Sequence, residues 1–268
     1  MKALAAMSQE DARAIRGVLC DIDETLTTHG QLTADAFRAL GRLRDSGLLT
    51  IPITGRPAGW CDHIARMWPV DAVVGENGAF YFCYDRVSRR LEKRFRDGAE
   101  ARAANRARVL AVRDRVLAEV PGAAVASDQF YREADLAIDY CEDVPRLPEN
   151  AVDRVVGIMR AAGMTVKVSS IHVNGWFGHY DKLGMTRILL RERFEIDIDS
   201  DRERFIFVGD SPNDAPMFAF FPKAVGVANV RAFAARIEHL PAFVTDAESG
   251  AGFVELAEFL LAARGSGR

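Results

Sequence analysis

Val18-Leu19-Cys20-Asp21-Ile22-Asp23-Glu24-Thr25-Leu26-Thr27, residues 18–27, is an apolar run that ends in two aspartates and two threonines. Residues 18–22 are predicted to form a short buried strand. Side chains two apart on extended backbone point the same way, so Asp21 and Asp23 are expected to converge. Two converging carboxylates repel each other unless a cation, a shared proton or a phosphate ligand with its metal relieves the repulsion. The stretch therefore fits either a binding site or a strand followed by an ordinary polar turn.

The composition limits what this stretch can mean. The chain has 268 residues, of which 49% are hydrophobic and 27% charged, enough for one large or two modest globular domains. A net charge of -3 gives no reason to expect nucleic acid or a membrane as a partner. The four cysteines lack C-x-x-C spacing, which favours reduced thiols in a cytoplasm. We expect a cytoplasmic protein without a signal peptide or membrane span, either a monomer or a homodimer.

Apolar segments alternate with helical patterns in both the first and the last third of the chain. Strands are predicted at residues 48–53, 72–74 and 204–208, and each ends in a polar tip. A helix that carries Trp60, Ile64 and Met67 is predicted after the first of these, and a further strand at residues 79–83 after the second. Thr33 is predicted to cap the helix before them and Asp181 a later one. This rhythm predicts an α/β fold with a parallel sheet.

The middle of the chain has a different character. Residues 86–115 contain eleven Lys or Arg and four acidic residues. An apolar stripe within residues 99–119 predicts a helix whose arginines lie on its solvated face. Strand-like segments at 134–140, 165–169 and 171–176, with a helix at about 149–162, predict an inserted α+β module.

Chemically suggestive side chains follow each predicted core strand and begin one helix. In open α/β sheets ligands bind outside the carboxyl ends of the strands, so these side chains are expected to meet. Carboxylates, a hydroxyl and an ammonium around one point suit a magnesium ion and a phosphate. The residues are Asp21, Asp23, Thr54, Lys182, Asp210 and Asp214.

Four ordered segments resemble the motifs of the haloacid dehalogenase (HAD) superfamily of phosphohydrolases. Glu24 stands where many members have glycine, which concerns only the local loop geometry. The insert between the second and third motifs resembles the type-two cap of sugar-phosphate phosphatases. The segments are Asp21-Ile22-Asp23-Glu24-Thr25-Leu26-Thr27, Ile53-Thr54-Gly55-Arg56, Lys182 and Gly209-Asp210-Ser211-Pro212-Asn213-Asp214.

The resemblance implies a HAD-like Rossmannoid parallel-sheet core, formed by residues 1–84 and 180–268, with an inserted α+β cap of residues 85–179. It also implies a Mg²⁺-dependent phosphomonoester hydrolase that acts through an aspartyl-phosphate. Asp21 would be the nucleophile and Asp23 the general acid and base. The implied metal ligands are Asp21, Asp23 through its backbone carbonyl, Asp210 and Asp214, and the implied phosphate-binding residues are Thr54, Gly55, Lys182 and Asn213.

The substrate is expected to be a small phosphorylated metabolite, a sugar phosphate by resemblance. Candidate substrate contacts are Arg56 and Asn77 at the core tips and His172 and Asn174 in the cap, although the last two fit an ordinary solvated sheet face equally well. Two alternatives stay open. A phosphomutase of the phosphomannomutase type would use the same aspartate, and the basic insert would suit a phosphate- or nucleic-acid-binding protein with little turnover.

Overall fold

The computed structural model of the protein describes residues 1–169 and 171–265. Its strands are β1 (Lys2–Ala3), β2 (Gly17–Cys20), β3 (Leu49–Pro52), β4 (Val73–Gly75), β5 (Phe80–Asp85), β6 (Arg90–Phe95), β7 (Ala124–Val125), β8 (Asp135–Asp139), β9 (Thr165–Val168), β10 (His172–Trp176), β11 (Phe205–Gly209), β12 (Val225–Gly226) and β13 (Phe243–Val244). Its α-helices are α1 (Gln9–Ala14), α2 (Ala34–Asp45), α3 (Ala58–Met67), α4 (Ala99–Glu119), α5 (Glu149–Ala161), α6 (Lys182–Phe194), α7 (Ile198–Asp201), α8 (Ala215–Phe220) and α9 (Ser249–Ala263).

A six-stranded parallel sheet in the order β1-β13-β12-β11-β2-β3 forms the core. The predicted parallel α/β sheet is therefore confirmed. In the register of the sheet, Cys20 at the end of β2 lies opposite Pro52 of β3 and Val208 of β11. The chain segments that leave these three strands consequently emerge at the same edge, which brings the polar tips together.

Alternating residues of the central strands bury opposite faces of this sheet. Val18 of β2 packs in one apolar layer with Leu40 of α2 and Leu256 of α9. Leu19 packs in the other layer with Phe207 of β11 and Leu189 of α6. Because both faces are covered by helices, β2 reads as a continuous apolar run in the sequence.

Strand β2 ends at Cys20, whereas the sequence pattern predicted that it continues to Ile22. The Ile22 carbonyl accepts N–H groups from Leu26 and Thr27, both at 2.9 Å, so the chain turns immediately after Asp21. The alternation of an extended strand therefore does not set the directions of Asp21 and Asp23.

A three-stranded antiparallel sheet, β4-β5-β6, continues the core sheet through a bridge between Ile53 and Val74. The rings of Phe80, Phe82 and Phe95 pack against one another within it. Strand β6 was not predicted, because the alternation of this edge strand is masked by the charged residues of the basic stretch. The predicted domain boundary at residues 84/85 falls inside β5 and stays a prediction.

A four-stranded antiparallel sheet in the order β7-β8-β10-β9, here called the cap sheet, lies within the predicted cap. One face packs on α4 and α5 through an apolar cluster that includes Val116, Ile158, Leu136 and Val173. The other face is polar and is turned toward the carboxyl edge of the core sheet.

Among the described helices, none combines the length and low charge that crossing a membrane requires.

Candidate active site

Lys182 binds two of the predicted aspartates. It is the first residue of α6, whose N-terminus is capped by the Asp181 carboxylate accepting the Gly184 N–H at 2.7 Å. The Lys182 ammonium is 5% exposed and donates to Asp21 Oδ1 at 2.9 Å and to Asp214 Oδ1 at 2.8 Å. Residues from three distant parts of the chain thus meet in one buried ion-pair network.

Asp210 and Asp214 come from the turn after β11. The second oxygen of Asp214 accepts the Asp210 N–H at 3.2 Å and lies only 2.4 Å from where a Cβ on Gly209 would be. Glycine is therefore required at residue 209 for this close approach. Asp210 is oriented by the hydroxyl of Thr25 and the side-chain amide of Asn229, each donating to one of its oxygens at 3.2 Å.

Carboxylate oxygens of Asp21, Asp210 and Asp214 lie within 4.8 Å of one another. Burial raises the pKa of Asp21 to about 7, against the opposing effect of Lys182. Burial and the neighbouring Asp214 carboxylate also raise the pKa of Asp210. One ammonium does not balance three carboxylates, and the donors are hard oxygens, so the arrangement fits a divalent cation such as Mg²⁺.

Asp23 lies in the same site but binds a different cation. Its carboxylate, 28% exposed, accepts from Arg56 Nε at 3.0 and 3.2 Å, and the second Arg56 nitrogen lies 2.9 Å away. The Asp23 side chain is not a member of the three-carboxylate cluster. Arg56 also lies 3.5 Å from Glu142 and 3.8 Å from Asp128, and it stacks over Trp60.

The second predicted motif forms a tight, buried loop. The Thr54 hydroxyl accepts the Arg56 N–H at 3.0 Å, and the Thr54 carbonyl accepts the Asn77 N–H at 3.0 Å. Asn77 has a φ of 55°, and its side chain lies 3.2 Å from the position of a Cβ on Gly55. Asn213, from the fourth motif, accepts from the Ser211 hydroxyl at 2.5 Å. It does not contact the Lys182 ammonium, whose partners among the described residues are Asp21 and Asp214.

His172 and Asn174 project from β10 on the polar face of the cap sheet, and both are buried. His172 Nε2 lies 2.8 Å from a Glu142 oxygen, and Asn174 donates to Asp135 at 3.0 Å. This face is therefore not an ordinary solvated sheet face. Through Glu142 and Asp135 the two residues join a polar network that continues into the core.

Arg132 is the centre of a second network, which ties the cap sheet to the core. Its guanidinium donates to both oxygens of Asp128 at 2.9 and 3.0 Å and to Asp135 at 3.0 and 3.1 Å. It also donates to the Gly55 carbonyl at 3.0 Å, next to Thr54. The Arg132 side chain is 1% exposed, so the network is almost fully removed from water.

Glu76 fixes the same segment from the core side. Its carboxylate accepts four backbone N–H groups, from Ala58 at 3.0 Å and from residues 133, 134 and 135 at 2.9, 2.6 and 3.2 Å. Burial and the Asp135 carboxylate raise the pKa of Glu76 to about 8. We call Glu76, Arg132, Asp128 and Asp135 the clamp, because together they join the loop before β8 to the second motif.

Most of the predicted residues, but not Thr54, Lys182 and Asp214, line a cavity of about 40 Å³, here called the inner cavity. A space of this size accommodates about three water molecules. The cap sheet therefore lies closed over the acidic cluster. Its lining residues include Asp21, Asp23, Gly55, Arg56, Asn77, His172, Asn174, Asp210 and Asn213.

Several residues of the site were not predicted. Asn229 follows β12, and a polar residue after another core strand was a signal that the sequence offered. Thr25 lies within the first motif and was given no role. Glu76 directly follows β4 and carried the same signal, whereas nothing local distinguishes Arg132 and Glu142 from surface charges.

This arrangement of a parallel core sheet, an acidic cluster at its carboxyl edge and an inserted cap sheet is the fold of the HAD superfamily. A HAD/COF-like hydrolase of Plasmodium vivax has a TM-score of 0.67 and 15% identity over 95% of this chain and 99% of that one. No protein-family model and no curated protein matches the sequence.

More particular likenesses are to structures of sugar-phosphate phosphatases. The sucrose-phosphatase of Synechocystis, in complex with sucrose and phosphate, has a TM-score of 0.61 and 15% identity over 91% of this chain and 98% of that one. The C-terminal domain of the Candida albicans trehalose-6-phosphate phosphatase has a TM-score of 0.67 and 14% identity over 96% and 95% of the two chains. The resemblance predicted from the four motifs is confirmed at the level of the fold.

Proposed function

We propose that this protein is a magnesium-dependent phosphomonoester hydrolase that acts on a small phosphorylated metabolite, most simply a sugar phosphate. The observation that carries the proposal is the Lys182 ammonium held between Asp21 and Asp214, with Asp210 completing the acidic cluster. One cation among three buried carboxylates leaves excess negative charge where a metal and a phosphate would bind together.

Asp21 is the proposed nucleophile. Its carboxylate oxygen attacks phosphorus, the bond from phosphorus to the leaving oxygen breaks, and an aspartyl-phosphate forms. Lys182 pairs with the nucleophile in the resting site and is proposed to bind a phosphoryl oxygen as charge moves onto it. Mg²⁺ held by Asp21, Asp210, Asp214 and the Asp23 carbonyl would supply charge stabilisation for the transferred group.

Asp23 is the proposed general acid and base. It gives a proton to the leaving oxygen in the first step and takes one from the attacking water in the second, when phosphate leaves Asp21. Arg56 donates to both Asp23 oxygens and so fixes the direction of the carboxylate. Because Arg56 also contacts Glu142 of the cap, the orientation of Asp23 depends on the cap being closed.

The sugar-phosphate class is supported by the polar, buried face of the cap sheet and by the printed substrates of two structural neighbours. Thr54, Gly55 and Asn213 are proposed to bind the phosphate, and Arg56, Asn77, His172 and Asn174 to face the leaving group. The site residues on the core and those on the cap meet across the inner cavity.

The test is phosphate release from a panel of sugar phosphates, phosphoglycerate derivatives, nucleotides and cofactor phosphates. EDTA is expected to abolish release and Mg²⁺ to restore it. Asp21→Asn is expected to lower turnover at least about 10³-fold with the fold kept. Asp199→Asn, which changes an exposed aspartate paired with Arg187, is the matched control and is expected to be fully active.

Full activity of the Asp21→Asn protein would overturn the mechanism. Conversion of a substrate to its isomer without phosphate release would instead establish a phosphomutase. Circular dichroism of each variant separates loss of chemistry from loss of fold.

A further inference from the structure

A second cavity of about 500 Å³, here called the side cavity, adjoins the inner cavity. The two share Asn77, Lys167 and Asn213 on their walls, and Lys182 lines the side cavity as well. A volume of this size is within the range of small-molecule sites. Since the inner cavity has room for little more than a phosphoryl group, the rest of a substrate has space on this side.

The side cavity has two cations without counter-charges. Lys167 projects from β9, opposite Asn174 of β10, and Arg96 directly follows β6. Both side chains are exposed, and neither has an ion pair or hydrogen-bonded partner among residues 1–169 and 171–265. Most other basic residues of the stretch that contains Arg96 are satisfied, as when Lys93 pairs with Asp62 and Arg94 with Glu192.

Among the described residues no carboxylate pairs with either of these two cations, although that of Asp97 lies near Tyr180 on the cavity wall. The one acidic residue on its described wall is Asp181, whose side chain caps α6. On the cap sheet, Asp135 is bound by Arg132 and Asn174. The wall of the side cavity therefore carries two cations that have no ion-pair partner among the described residues, beside the proposed phosphate site.

An aromatic pair supplies the apolar part of the wall. The rings of Trp176 and Tyr180 stack with centroids 5.5 Å apart, and both residues line the side cavity. Both residues are buried, and Leu183, Pro216 and Met217 also line this cavity, which thus offers an apolar wall for a carbon skeleton and cations for an acidic group. A neutral sugar would leave the cations unused.

We propose that the side cavity binds the leaving group of the substrate and that Lys167 and Arg96 recognise a second anionic group on it, a carboxylate or a second phosphate. This inference rests on the proposed phosphatase function and narrows it to acidic phosphorylated metabolites. Lys167 bridges the two cavities, so it is the cation nearer to the scissile phosphate.

The test compares kcat/KM within matched pairs of substrates that differ in one anionic group. Glycerol 3-phosphate against 3-phosphoglycerate tests a carboxylate, and fructose 6-phosphate against fructose 1,6-bisphosphate tests a second phosphate. The wild-type protein is expected to favour the acidic member of one pair at least tenfold. Lys167→Ala and Arg96→Ala are each expected to lower that preference about tenfold, because a hydrogen-bonded charge pair is lost.

Arg160→Ala is the matched control. Arg160 is an exposed cation on α5, away from the side cavity, and its removal is expected to leave the preference within about twofold of wild type. A wild-type preference for the members that lack the second anionic group, or a preference that Lys167→Ala and Arg96→Ala leave unchanged, would overturn the inference.

A binding measurement keeps this test separate from that of the proposed function. Isothermal titration calorimetry needs no turnover. The Asp21→Asn protein, with and without Lys167→Ala, is titrated with 3-phosphoglycerate, fructose 1,6-bisphosphate and the counterparts that lack the second anionic group. If no substrate of the panel releases phosphate, the proposed function fails, while the ratio of the dissociation constants still decides whether the side cavity recognises an anion. Equal constants in each pair would refute the anion site even if the enzyme proves to be a phosphatase.

Discussion

Replacing Arg132 by methionine should destabilise the protein far more than replacing an exposed arginine. The change removes the guanidinium from Asp128, Asp135 and the Gly55 carbonyl while it keeps most of the side-chain volume. Asp135 is fully buried, so its carboxylate would be left without a charged partner and away from water. Breaking a buried ion pair by removing one partner costs about 3–5 kcal/mol.

Protonation of Asp135 limits the size of this destabilisation. An aspartate that loses its partner can take up a proton. This costs about 1.36 kcal/mol for each unit by which the pH exceeds the ordinary pKa of the carboxyl, 3.8. The loss for Asp135 therefore cannot exceed about 4.4 kcal/mol, and we expect a total near 3–5 kcal/mol. For a chain of this size, 1 kcal/mol lowers Tm by about 2–4 °C, so Tm should fall by at least about 6 °C.

The assay is urea and thermal denaturation followed by circular dichroism at pH 7 and at pH 5. Burial already raises the pKa of Asp135, and loss of Arg132 raises it further, so the penalty should shrink as the pH falls and the carboxyl becomes neutral. Arg115→Met, which breaks the exposed pair with Glu119, is the matched control with an expected loss below about 1 kcal/mol. Equal losses in the two variants would refute the clamp as a stabilising element.

Three further predictions follow from the site. Lys182→Met should lower kcat about 10²–10³-fold in phosphate-release assays, and a loss below tenfold would contradict its role beside Asp21. Gly209→Ala should lower Tm by several degrees, because the new Cβ would lie 2.4 Å from an Asp214 oxygen; an unchanged Tm in thermal denaturation would contradict this. The pKa of Glu76 rises from 4.5 to about 8 on folding, so its contribution to the free energy of unfolding is complete below pH 4.5 and is lost as the pH rises through 8. Urea unfolding of wild type and Glu76→Gln across pH 5–8 should therefore show that the free energy of unfolding depends less on pH in the variant.

Much of the core was predictable because its signals are local. Each central strand is an apolar run followed at once by a polar residue, and parallel register then places Asp21, Thr54 and Asp210 at one edge. The helix of residues 99–119 was predicted with its observed bounds. By contrast, the strand predicted at residues 18–22 ends at Cys20, because the chain turns directly after it.

The cap side of the site was not predictable in the same way. The Glu76 carboxylate accepts hydrogen bonds from the N–H groups of residues 133–135, which lie far along the chain. These contacts depend on how the cap sheet packs on the core. Likewise, Arg132 and Arg96 look alike in the sequence, although one is buried among carboxylates and the other is an unpaired cation on a cavity wall. The sequence shows the charge of a side chain, whereas its burial and its ion-pair partners depend on the tertiary structure.

The position of β9 in the cap sheet has an evolutionary consequence. Among the described strands it is an edge strand that pairs with β10 alone. By contrast, β8 contributes Asp135 to the clamp, and Asn174 of β10 donates to Asp135. Substitutions at Lys167, whose side chain has no ion-pair or hydrogen-bond partner among the described residues, therefore alter the cavity wall without breaking the contacts that hold the cap in place. Selection for a new substrate can act on this strand at little cost to folding, so related chains with different substrates should diverge most at β9.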